Sequence, residues 1–167
     1  MAPGPGVEDN PQAMFRNILV AVDGSPHGER ALAEAVELAQ RNHGRLTVMT
    51  SVPDPSVWLL TGGAYGGGID QQALLDEVEQ EYQQLLDRAV DSVPADVSVT
   101  KHLVHGRPGD RILEQLEAGG HDLVVMGSRG RGAVSSAMLG SASHHVLNAA
   151  PGAVLIVRAE TEPATHP

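Results

Sequence analysis

Apolar residues along this chain gather into five short runs, separated by longer stretches in which apolar positions recur every three or four residues. The first run, Asn17-Ile18-Leu19-Val20-Ala21-Val22, shows no polar alternation. Continuous apolar character suits a parallel strand covered on both faces. The run ends at Asp23-Gly24-Ser25-Pro26, where Ser25 fits a helix N-cap and Pro26 the first helical position. Ala31, Leu32, Ala35, Leu38 and Ala39 follow at helical spacing, and Asn42-His43-Gly44 stops the helix.

The same pattern continues to the end of the chain. A second strand is predicted over 45–52 and a second helix over about 69–93, with Leu74, Leu75, Val78, Tyr82, Leu85, Leu86 and Ala89 on one side. The connection 53–68 between them is rich in Pro and Gly, carries Trp58, and exceeds the usual loop length, which predicts a lid or a mobile segment. A third strand over about 97–104 leads through His105-Gly106-Arg107-Pro108-Gly109-Asp110 into a short helix with Ile112, Leu113 and Leu116, closed by Gly119-Gly120. The fourth strand is 122–126. A helix starts near Gly140 or Ser141, Pro151-Gly152 breaks it, and the last strand is 153–157. Strands alternating with crossover helices require an α/β fold, a parallel sheet with helices on both faces. Residues 1–14 read as a flexible N-terminal tail, 15–158 as one domain, and 159–167 as a C-terminal tail.

Composition narrows the function classes. The chain holds 21 acidic and 11 basic residues, a net charge of −10, and shows no basic stripe of the kind nucleic acid requires. Its aromatic residues are Phe15, Trp58, Tyr65 and Tyr82, too few for a base-stacking platform. Cysteine is absent, which excludes disulfides and thiol chemistry. No apolar run is long enough to span a bilayer, and residues 1–10 lack the form of a secretory signal, so a cytoplasmic location is expected. The eight histidines have no recognisable zinc-ligand spacing.

Candidate chemistry concentrates after the fourth strand. Leu123-Val124-Val125-Met126 runs into Gly127-Ser128-Arg129-Gly130-Arg131-Gly132, with Gly140-Ser141-Ala142-Ser143 at a fixed distance beyond. Glycines admit left-handed backbone and close approach of a ligand to the main chain. Successive amides there, with the unpaired N–H groups of the following helix start, form a place for phosphate oxygens. Ser141 and Ser143 can donate hydroxyls to the same oxygens. The alternative is that the glycines only turn corners and Ser141 only caps a helix. Arg129, Arg131 and Arg107 can offset the acidic field near a polyphosphate, or simply be solvated. Asp23 ends the first strand on the same sheet edge. It can meet a ribose or hold a phosphate-bound Mg²⁺, or else cap the first helix together with Ser25. Neither a Walker loop nor a dinucleotide fingerprint is present, and no serine–histidine–carboxylate relay can be assembled.

These residues resemble the universal stress protein family in its ATP-binding branch. The family's signature is Gly, two residues, Gly, nine residues, Gly, then Ser or Thr, and Gly127, Gly130, Gly140 and Ser141 match it without a gap. The likeness extends through Ile18-Leu19-Val20-Ala21-Val22-Asp23-Gly24-Ser25, Gly106-Arg107-Pro108 and Pro151 to Val157. It implies an open five-stranded parallel sheet in the order 3-2-1-4-5, with ATP across the ends of strands 1 and 4. It further implies that Asp23 approaches the ribose or phosphates, that the backbones of Ala21 and Ser51 meet the adenosine end, and that Gly127, Arg129 and Gly130 line the ribose and phosphate path. Gly140, Ser141 and Ser143 are expected to hold phosphates. The second-strand exit reads Thr50-Ser51 where members often carry His-Val. The resemblance also implies a homodimer through the last strand, a regulatory protein partner, and a stress-response role as a nucleotide-dependent regulator or sensor with at most weak ATPase activity; the charge and hydropathy above argue for no nucleic-acid and no membrane partner. A slow Mg-dependent ATPase or phosphotransferase, and a dimeric interaction module without nucleotide, are the competing readings.

Overall fold

The computed structural model describes residues 14–54, 71–131 and 138–159. Residues 1–13 and 160–167 of the expected tails, the 55–68 part of the long connection with Trp58, residues 69–70 at the expected start of the second helix, and Gly132 lie outside the described residues. Among the described residues nine elements follow in order: β1 (Asn17–Ala21), α1 (Pro26–Asn42), β2 (Arg45–Val52), α2 (Gln71–Asp91), β3 (Ser98–His105), α3 (Pro108–Ala118), β4 (Leu123–Gly127), α4 (Ser141–Ala149) and β5 (Ala153–Val157). The five strands form one parallel sheet in the order β3-β2-β1-β4-β5.

The sheet is buried where the sequence is most continuously apolar. Ile18, Leu19, Val20, Val124 and Val125 are fully enclosed, because β1 and β4 are central and covered on both faces. One core joins Ile18, Val20, Leu46 and Val48 to Ala31, Ala35 and Ala39 of α1 and Leu85 and Leu86 of α2. The other joins Leu19, Met49, Val124 and Met126 to Ile112 and Leu116 of α3 and Val146 of α4. β3 lies at one edge of the sheet and is mostly exposed or half-buried, and β5 forms the other edge.

Local signals act as the sequence requires. Ser25 caps α1 by accepting from the Gly28 amide, and Pro26 occupies the first turn. His43 closes the same helix with φ of 49°, a left-handed conformation that histidine adopts more readily than a β-branched residue. On α2, Leu85 and Leu86 are buried, Leu75, Val78, Tyr82 and Ala89 are half-buried, and Leu74 is exposed. Asn17 and Asp122 seal the opposite end of β1 and β4: Asp122 accepts from the Arg16 and Asn17 amides, and the Asn17 side chain donates to the Gly119 and Gly120 carbonyls.

Candidate functional site

The strand order reverses at β1, whose neighbours are β2 and β4, and a crevice opens beyond the carboxyl ends of these strands, where open α/β sheets take ligands. Register places Ala21 beside Met49 on one side and Met126 on the other. With Ile112 from α3 they form the apolar floor of a cleft of about 420 Å³. Its size and mixed lining suit a small-molecule ligand. All nine residues singled out in the sequence lie on its wall: Ala21, Asp23, Ser51, Gly127, Arg129, Gly130, Gly140, Ser141 and Ser143.

The polar end of the cleft is the start of α4. Gly140 is the N-cap, so Ser141 is the first helical residue rather than the cap considered for it in the sequence. Among the described residues no side chain caps this helix, and the amides of Ser141, Ala142 and Ser143 have no partner within it. Ser143 is 3% exposed, and its hydroxyl donates to the Gly127 carbonyl at 2.7 Å. What Ser143 can offer a ligand is therefore its amide, which corrects the hydroxyl role expected for it. The start of α3 faces the same space: Pro108 and Ile112 line the cleft, and Arg107 caps without a side-chain bond. Two helix N-termini thus turn their positive ends toward one volume.

The motif glycines are required for a different reason from the one their sequence suggests. Among the described glycines, positive φ occurs at Gly24, Gly106 and Gly120, and at none of Gly127, Gly130 and Gly140. Close packing by the chain's own atoms sets the requirement. A Cβ on Gly127 would lie 2.8 Å from the carbonyl carbon and Cβ of His27, so this glycine seats α1 against β4. A Cβ on Gly130 would lie 2.6 Å from Asp23 Oδ2. Gly140, by contrast, has only ordinary contacts at 3.4 Å and beyond.

Asp23 fastens the loop. Its Oδ1 accepts from the Ser25 amide at 3.0 Å and the Ser25 hydroxyl at 2.5 Å, and its Oδ2 accepts from the Arg131 amide at 2.9 Å. Three of the roughly four acceptor sites of a carboxylate are therefore occupied. The residue fits the capping alternative and does not fit a direct ligand of Mg²⁺. Among the described residues, no group of three or more His, Asp or Glu side chains is placed to hold a metal.

Several wall residues were not singled out as ligand contacts from the sequence. Tyr82 of α2 reaches the cleft, and the Arg131 guanidinium sits 5.4 Å from its ring centroid while pairing with Glu81 at 2.9 Å. Partial burial pulls the Arg131 pKa down, but its bond to Glu81 and the nearby Tyr82 outweigh that and hold it above the ordinary arginine range. Thr50 is 2% exposed, and its buried hydroxyl has no hydrogen-bond partner among the described residues. Ser51 donates its hydroxyl to the Gly106 carbonyl at 2.8 Å, so that group is already engaged within the chain. Tyr82 has the spacing of a core position on its helix, so periodicity gave no sign of a ligand-facing role.

Comparison with known proteins places these features. The model of the Universal stress protein family matches residues 14–158. A universal stress protein of Thermus aquaticus is 38% identical over 146 residues, covering 87% of this chain and all of the relative. The structure of a universal stress protein from Archaeoglobus fulgidus in complex with dAMP superposes with a TM-score of 0.61 at 23% identity, covering 86% of this chain and 98% of that one. A universal stress protein in complex with cAMP superposes with a TM-score of 0.57 at 22% identity, covering 88% and 99%. At these identities the superpositions establish the fold.

Proposed function

The chain belongs to the universal stress protein family, and from that premise we propose that it binds an adenine nucleotide, ATP foremost, in the cleft at the ends of β1 and β4. The observation that carries this reading is the convergence of nine sequence-nominated residues, two uncapped helix starts and an apolar floor on one volume of about 420 Å³. The base lies against Ala21, Met49, Ile112 and Met126, with the backbone at Ser51 reading its edge. The phosphates meet the amides of Gly130 and of Ser141 to Ser143. Main-chain donors suit this task because they are fixed before the ligand arrives. The nucleotides carried by the two superposed relatives support the class of ligand.

In this reading the protein is a nucleotide-dependent regulator of the stress response. Asp23 orders the phosphate loop, and any Mg²⁺ travels on the phosphates. β5 is the sheet edge opposite β3, with Val154, Leu155 and Ile156 half-buried, and a second copy of the chain pairs there. Isothermal calorimetry with ATP, ADP and AMP tests the ligand: saturable one-to-one binding is expected, and no heat at millimolar nucleotide refutes it. Steady-state hydrolysis of Mg·ATP that disappears in Asp23→Ala would instead favour the slow-hydrolase reading.

A further inference from the structure

His27 lies in the first turn of α1, outside the cleft wall, yet three segments meet at one of its nitrogens. The amide of Ala159, just past the end of β5, donates to His27 Nδ1 at 2.8 Å. An amide can only donate, so Nδ1 carries no proton and the neutral ring holds its hydrogen on Nε2. The Ser128 hydroxyl, 3.1 Å away, therefore donates to the same lone pair. Ser128 is 4% exposed and is bound on its other sides as well. Its amide donates to the Val157 carbonyl at 2.7 Å, and its carbonyl accepts from the Gly140 amide at 2.8 Å. The ring can reach this point because Gly127 has no side chain where the backbone of His27 packs.

We infer that His27 is a positioning residue: through Ser128 it fixes the N-cap Gly140, and so aims the amides of α4 into the cleft. The same nitrogen holds the chain leaving β5, so the open edge of the sheet and the nucleotide cleft share one anchor. A pull on the β5 exit reaches Gly140 through two further hydrogen bonds, Ser128 to His27 and Gly140 to Ser128. The inference rests on the nucleotide reading for its ligand and on the hydrogen-bond geometry for its coupling.

Three variants of the full chain test it. In His27→Asn, Oδ1 stands where Nδ1 stood and still accepts. His27→Leu keeps the bulk and loses the acceptor. Ser128→Ala removes only the hydroxyl. Each is titrated with ATP by calorimetry, and amide exchange is followed at Gly140, with thermal unfolding as the control for the fold. His27→Leu is expected to bind ATP about tenfold more weakly and to exchange the Gly140 amide about tenfold faster. Ser128→Ala is expected to shift both in the same direction, and His27→Asn to restore both to within about twofold of the wild type. Unchanged Gly140 exchange in folded His27→Leu overturns the inference, as does equal impairment in the Asn and Leu variants. Should His27→Leu fail to fold, unchanged exchange in Ser128→Ala overturns it. If the wild type binds no ATP, the nucleotide reading falls, and the exchange measurements still decide the coupling.

Discussion

Replacing Gly130 with alanine sets a methyl carbon 2.6 Å from Asp23 Oδ2, and real Cβ atoms stay beyond 3.0 Å of other heavy atoms. One group must move. The carboxylate is not free to swing, because Oδ1 is held by the Ser25 amide and hydroxyl, at 3.0 and 2.5 Å. Relief therefore comes by giving up the bond from the Arg131 amide to Oδ2, 2.9 Å long in the native chain. A hydrogen bond to a charged group contributes about 1.5–3 kcal/mol, and this one is exposed, so water recovers part of the loss. Gly130→Ala should cost about 1.5 kcal/mol in urea unfolding and weaken ATP binding about tenfold by releasing the loop. The mechanism is isolated by a double-mutant cycle. With Asp23→Ala already in place the added methyl meets no oxygen, so the second substitution should cost almost nothing, an interaction of about 1 kcal/mol or more. Costs that add to within about 0.3 kcal/mol would refute the clash as the cause.

Other substitutions separate packing from ligand contact. Gly127→Ala drives a methyl into the backbone of α1 and should destabilise by about 1–3 kcal/mol in urea unfolding; a change under about 0.5 kcal/mol would contradict the close packing at His27. Thr50→Val removes a buried hydroxyl that has no partner among the described residues, so stability should hold or rise by about 1 kcal/mol, and a fall of that size would show that the hydroxyl is satisfied. Burial lowers the pKa of His121, with a hydrogen bond donated by the ring to the Asn17 backbone opposing it. The folded state therefore binds this proton less readily than the unfolded chain, and stability is lost as pH falls below about 6.5. The drop in urea midpoint between pH 7.5 and 5.5 should be larger for the wild type than for His121→Gln, and equal drops would contradict the shift.

Much of the fold was legible because local and global demands agree. The runs at Ile18–Val20 and Leu123–Val125 are apolar without alternation, and they became the two fully covered strands. Ser25 and Pro26 marked the start of α1 to the residue. β3 was harder to delimit: as an edge strand it needs apolar residues on only part of its length, and it ends at His105 rather than before it. The residues nominated for the site came from strand ends and the glycine spacing, and they share one cleft. What the spacing could not convey is why each glycine is there. The neighbours of Gly127 and Gly130 are His27 and Asp23, about a hundred positions earlier, and only the register of β1 against β4 brings them together. Tyr82 and Thr50 were hidden for a related reason: periodicity assigns a residue to a face, and a cleft that opens between a sheet edge and a helix borrows from a face otherwise given to the core.

If the cleft takes a polyphosphate, the amides of Gly130 and of Ser141 to Ser143 at the start of α4 receive it. Amide chemical shifts of the isotope-labelled chain, followed as ATP is added, test it most directly. The largest saturable shifts are expected at Gly130 and at Ser141 to Ser143, with smaller ones at Ala21 and Ser51. Saturable shifts confined to other parts of the fold, or none at millimolar ATP, would contradict it.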